Sequence, residues 1–139
     1  MAAAVGPVVA AEVAAAVGPA VAAAVGPLYN MIATSNNAAA IGIAGRRLIP
    51  LKDALGQAPP AGDFPETTDE LIAWGTLTRR DVAVWNRLNN LLQYYGIHDP
   101  ATGQPFIAAG AAVPPQPNGA AGIAELRRRL AAVRAHITL

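Results

Sequence analysis

The chain has 139 residues, ten Lys/Arg against nine Asp/Glu, two histidines, one serine and no cysteine. That inventory excludes a disulfide framework, a thiol nucleophile and thiolate metal ligation, and it leaves a Ser-His-acid triad or a histidine metal cluster almost without parts. A net charge of +1 does not suit a generically basic nucleic-acid coat; with 33 alanines set aside the apolar content falls to 41 residues, and the length fits one small domain with an appendage.

Residues 1–45 hold a single charged side chain, Glu12, together with 17 alanines. The run Ala-Ala-Ala-Val-Gly-Pro occurs at 2–7, 14–19 and 22–27, and Val5, Val9, Val13, Val17, Val21 and Val25 recur with a period of four. In a helix each such step drifts the stripe by about 40°. Pro7, Pro19 and Pro27, each preceded by Gly, then predict short helical pieces, because an interior Pro costs about 3 kcal/mol and Gly about 1 kcal/mol relative to Ala. In an extended chain the even spacing puts all six valines on one face, as in stacked cross-β layers, although proline removes ladder donors. Residues 13–29 reach about the 17 that a membrane span needs. They are mostly Ala, Gly and Pro, with no Leu before Leu28 and no cation before Arg46, so neither a membrane partner nor a secretory leader is expected. Broken helical pieces are the preferred reading and extended structure the alternative.

Asn30 and the run Thr34-Ser35-Asn36-Asn37 interrupt the alanine field and predict a capped turn. Residues 46–63 read as a linker. Pro50 biases Leu48-Ile49-Pro50-Leu51 toward extended geometry, Lys52–Gly56 reads as a tight turn, and Ala58–Gly62 as a loop. From Phe64 onward the pattern is helical. Thr67-Thr68-Asp69-Glu70 is a helix start, followed by Leu71, Ile72, Trp74 and Leu77. Thr78, with Asp81 three residues on, predicts the cap of a second helix carrying Val82, Trp85, Leu88, Leu92 and Tyr95. Gly96 suits the left-handed residue after that helix, and Ile97 can fold back on its last turn. A proline-rich loop occupies 98–119. Ala120–Ile137 predicts a last helix, with Ile123, Leu126, Leu130, Val133 and Ile137 on one face. The fold class expected is mainly α: an Ala/Val-rich N-terminal segment at 1–45 and a small helical domain at 64–139.

Phe64-Pro65-x-Thr67, Leu71, Leu88-x-x-Leu91-Leu92-x-x-Tyr95-Gly96-Ile97 and Leu126-Arg127-Arg128-Arg129-Leu130 running into His136-Ile137 make up a longer pattern. Together with the Asn-containing stretch at 30–37 and Leu48-x-Pro50-Leu51, it resembles the C-terminal domain of the fungal meiotically upregulated Mug-type proteins, over about residues 30–139. The resemblance implies a preceding coiled-coil-like segment and no established molecular activity. This chain departs from the pattern in a longer loop after Gly96 and in an Ala/Val/Gly/Pro segment where the family has a charged coiled coil. The helix, glycine turn and basic helix also resemble a SAP module, in which the second helix touches DNA; Arg127, Arg128, Arg129 and Arg134 would then be the contacts.

Those four arginines are the strongest candidates for a binding site, since phosphate contacts need exposed cations. The alternative is that they complement the helix C-terminus and pair with Asp63, Glu66, Asp69 and Glu70. His98-Asp99 offers at most two ligands, so no metal is expected there. Trp74 and Trp85 fall at helical spacing within apolar faces and read as core rather than as base-stacking platforms. Of Tyr94 and Tyr95, one ring is expected in and one out. Gly42 and Gly45 lack the Lys-Ser/Thr sequel of a phosphate loop. No cofactor and no enzymatic activity are expected. An apolar segment with one charge in 45 residues predicts self-association, with the six valines as the assembly face. The expectation is therefore an intracellular (cytoplasmic or nuclear) structural protein that forms a homo-oligomer or filament, with a nucleic-acid or chromatin adaptor as the alternative.

Overall fold

The computed structural model describes residues 20–21 and 24–138. The protein is mainly helical, and β structure among the described residues is confined to two isolated bridges. Helix α1 covers 20–21 and 24–40, α2 Thr68–Gly75, α3 Val82–Tyr94 and α4 Gly119–Thr138.

The three later helices follow from their ends and faces. Thr67 caps α2 by accepting from the Glu70 N–H at 3.3 Å, and the Glu70 carboxylate accepts in turn from the Glu66 N–H at 2.8 Å. Asp81, not Thr78, caps α3: its backbone is extended and its carboxylate accepts from the Val84 N–H at 3.1 Å. At the other end Gly96 takes a φ of 61°, and the Ile97 N–H closes on the Leu92 carbonyl at 3.0 Å. The core joins Trp85, Leu88, Leu91 and Leu92 of α3 to Leu126, Leu130, Val133 and Ile137 of α4, with Leu71 and Trp74 of α2 alongside. Leu48, Leu51 and Phe64 close it from the connecting chain, whose residues 46–48 pair with 66–68 through Leu48 N–H to Glu66 O and Thr68 N–H to Arg46 O, both 2.9 Å.

Helix α1 departs from expectation in two ways. It runs unbroken through Gly26-Pro27, and Thr34–Asn37 cap nothing; they lie inside it. The reason is its inner stripe, Gly26, Asn30, Ala33, Asn37 and Ala40, at steps of four, three, four and three. Gly26, Ala33, Asn37 and Ala40 are buried and Asn30 is half-buried. Small side chains let the extended segment 49–52 lie close, and the two asparagines grip it. The Asn37 amide donates to the Ile49 carbonyl at 2.9 Å and accepts from the Ile49 N–H at 2.8 Å; Asn30 does the same with Lys52, both bonds 2.8 Å. Seven helical residues rise about 10.5 Å. In a polyproline-like chain residues three apart are separated by about 9.3 Å and project from the same side, so the two spacings match. Asn37 also donates to Ile137 O at 2.9 Å, tying α1 to the end of α4. The second half of the 1–45 segment is thereby built into the same core as the helical domain.

Candidate assembly face and arginine cluster

The large aliphatic residues of α1 lie on its other side. Val21, Val25, Leu28 and Ile32 follow one another at steps of four, three and four, roughly 130° round the helix from the asparagine stripe. They are 51%, 51%, 60% and 70% exposed, and Met31 beside them is 65% exposed. No charged side chain occurs between Glu12 and Arg46. The result is an uncharged apolar ridge with the spacing of a coiled-coil seam. Of the valine stripe, Val21 and Val25 fall on this ridge; Val5, Val9, Val13 and Val17 lie outside the described residues.

The four arginines of α4 are not one surface. Arg128 pairs with Asp99 at 2.6 Å and with Glu125 at 2.7 Å, and its guanidinium lies 5.1 Å from the Phe106 ring centre. Arg129 turns inward: it pairs with Glu125 at 2.9 Å, donates to the buried Asn89 amide oxygen, and sits 5.0 Å over the Trp85 ring. Asn89 is fully buried, and its own amide nitrogen donates to Trp85 O at 2.8 Å, so this polar pair inside the α3–α4 interface is satisfied on both sides. Arg127 is exposed and reaches the Leu77 carbonyl at 3.4 Å; Arg134 is exposed beside α2. The partners are thus Asp99 and Glu125, and among the acids expected to pair with this cluster Glu70 instead holds Arg87 at 2.6 Å.

These pairs set the local ionisation. The hydrogen bond from Arg128 and that from the Ala101 N–H hold Asp99 below the usual carboxylate range. Glu125 is lowered by hydrogen bonds from Arg128 and Arg129, against an opposing effect of burial. Asp99 also shapes the loop after α3, since its backbone N–H donates to Gln104 O at 2.7 Å while its carboxylate accepts from Ala101 N–H at 2.9 Å. His98 stands exposed beside it. Among the described residues no three of His, Asp and Glu converge as metal ligands, and no helix is long and apolar enough to cross a membrane.

The aromatic residues have structural partners. Trp85 donates its indole N–H to Pro114 O at 2.7 Å, and Trp74 is buried under the Arg87 guanidinium at 4.8 Å. Tyr94 and Tyr95 are both half-buried, where one in and one out was expected. Tyr95 donates to Leu51 O at 2.8 Å; burial of Tyr94, and then the Asp53 carboxylate 3.0 Å from its hydroxyl, push the Tyr94 pKa up to about 12. Both rings lie against the 51–58 loop, so each finds an acceptor there. Sequence reasoning read Asn30 and Asn37 as turn residues rather than as partners for distant backbone, and it missed Asn89. The signal available for the first two was their seven-residue spacing within an alanine stripe.

Compared with known proteins, the chain matches no family model, no curated protein and no solved structure.

Proposed function

We propose that the protein is a non-enzymatic structural or scaffold protein that assembles with copies of itself through the outer ridge of α1 and the Ala/Val segment preceding it. The supporting observation is the exposed, uncharged row Val21, Val25, Leu28 and Ile32 at seam spacing on a helix whose other face is already anchored. Burying a large aliphatic side chain from water is worth about 1.5–3 kcal/mol, so four half-exposed ones per protomer offer several kcal/mol toward association. No charge on the ridge opposes contact between copies.

Sedimentation of the full chain against Val25→Glu/Ile32→Glu tests this. The expected result is an oligomer or filament for the parent and a smaller species with unchanged helicity for the variant. A monomeric parent at every accessible concentration would refute it.

A nucleic-acid reading rests on fewer residues than the sequence offers, because Arg128 and Arg129 are committed within the fold. With Arg127 and Arg134 left, the salt dependence of DNA binding would have a slope near −1.8, against about −3.6 for four phosphate contacts.

A further inference from the structure

A cavity of about 380 Å³ opens between α2 and α4, at the lower end of the range for small-ligand sites. Its floor is Leu71 and Leu130, 4% and 7% exposed, with Ile41 on one wall and the half-exposed Ile72 at the rim. The two hydroxyls that reach it are already committed. Thr68 donates to Ile43 O at 2.7 Å, and Thr76 donates to Ala73 O at 3.2 Å. What remains is the Arg134 guanidinium, which has no hydrogen-bond or ion-pair partner among the described residues, whereas Arg127, Arg128 and Arg129 all have one.

Gly75 supplies a second observation. It is the last residue of α2, and its φ is not positive, so no left-handed geometry requires a glycine there. A Cβ there would stand 3.5 Å from Leu130 Cδ2, an ordinary contact. A side chain would fit; its absence leaves the wall of the cavity open. The pocket is therefore lined by apolar residues in its depth, and its lining includes one cation without a partner among the described residues.

We infer that this cavity binds an amphipathic carboxylate, its hydrocarbon part on Leu71, Ile72 and Leu130 and its carboxylate on Arg134. A guanidinium matches a carboxylate with two parallel N–H donors, and its full charge outweighs the partial negative charge of the nearby helix C-termini. This site is separate from the α1 ridge and stands or falls without it.

Calorimetric titration of the full chain with octanoate below its micelle concentration, and with octan-1-ol as the uncharged analogue, tests the assignment. Octanoate is expected to saturate one site per chain. Arg134→Gln should weaken octanoate tenfold or more and leave octan-1-ol unchanged. Gly75→Val should abolish binding of both while the urea midpoint is retained or raised. Failure of octanoate to saturate overturns the proposal. So does octanoate binding that is indifferent to Arg134→Gln, which would make the pocket a generic apolar hollow, or binding that survives Gly75→Val in a folded protein, which would place it elsewhere.

Discussion

Replacing Asn37 with alanine removes three hydrogen bonds at one fully buried residue: two donated, to Ile49 O and Ile137 O, and one accepted from the Ile49 N–H. The side chain carries little of the cost itself. The loss falls on the three backbone groups left behind, each at about 1–3 kcal/mol when it cannot reach water. Ile49 is half-buried, so its two groups recover some solvent and belong at the low end; Ile137 is fully buried at the end of α4. The expected destabilisation is about 3–5 kcal/mol, a large part of the roughly 5–15 kcal/mol that holds a domain of this kind. Urea unfolding followed by far-ultraviolet circular dichroism measures it as a lowered midpoint. Asn30→Ala is the internal comparison, because the same pair of bonds sits there at a half-buried residue without the third; about 1–2 kcal/mol is expected. Asn37→Asp separates the roles further, keeping the acceptor for Ile49 N–H while losing both donors. A loss under about 1 kcal/mol for Asn37→Ala, or one equal to that of Asn30→Ala, would refute the claim that the asparagine, rather than the surrounding alanines, fixes α1 to the core.

Two other outcomes follow from the same structure. Gly122→Ala would place a methyl 1.9 Å from the Pro117 carbonyl oxygen and 2.9 Å from its carbon, so the backbone before α4 must move; a destabilisation of about 2–3 kcal/mol, read from urea unfolding, is expected, and a neutral result would refute that close approach. Stability should also fall in two steps on acidification. Burial lowers the pKa of His136, and Asp99 and Glu125 are held below their usual values, so in each case the folded state binds fewer protons than the unfolded chain and stability rises with pH. The first loss sets in as pH drops through about 6.5, where the unfolded histidine charges, and His136→Phe should flatten it. The second begins below about 4.5, where the unfolded carboxylates start to take up protons, and Glu125→Gln should reduce it. A urea midpoint that increases between pH 6.5 and 5 would contradict the histidine assignment.

Helices α2, α3 and α4 were legible because their signals are local. Thr67, Gly96 and the three-four spacing of Leu126, Leu130, Val133 and Ile137 act within a turn or two of the chain. The cap of α3 was less so, since Thr78 and Asp81 both carry cap-type side chains three residues apart. In the structure the 77–80 stretch lies outside the helix, with Arg127 on Leu77 O and Arg80 on the Asn118 amide oxygen at 2.6 Å, and Asp81 supplies the cap. The arginine cluster divides in the same way. Glu125 stands three and four residues before Arg128 and Arg129, a pairing that helical geometry implies, whereas Asp99 reaches Arg128 across a 29-residue separation that composition does not encode.

The N-terminal segment misleads for a different physical reason. Alanine, glycine and asparagine spell a broken or capped chain when each residue is weighed by propensity, yet at positions 26, 30, 33, 37 and 40 they form the contact face. A backbone segment can lie against a helix closely only where side chains are small, and its N–H and C=O groups need amide partners once they are there. Asn30 and Asn37 supply those partners at the spacing the extended segment repeats. This inverts the usual arrangement of an amphipathic helix: Asn30 and Asn37 face the core among small residues, and Val21, Val25, Leu28 and Ile32 are exposed. An isolated protomer gains nothing from a hydrophobic row so placed, whereas two copies in contact remove it from solvent at both surfaces. The anchored inner face thus favours association through the outer one, because a helix held by Asn37 at both Ile49 and Ile137 cannot roll to bury Val21 and Val25 against the other described residues.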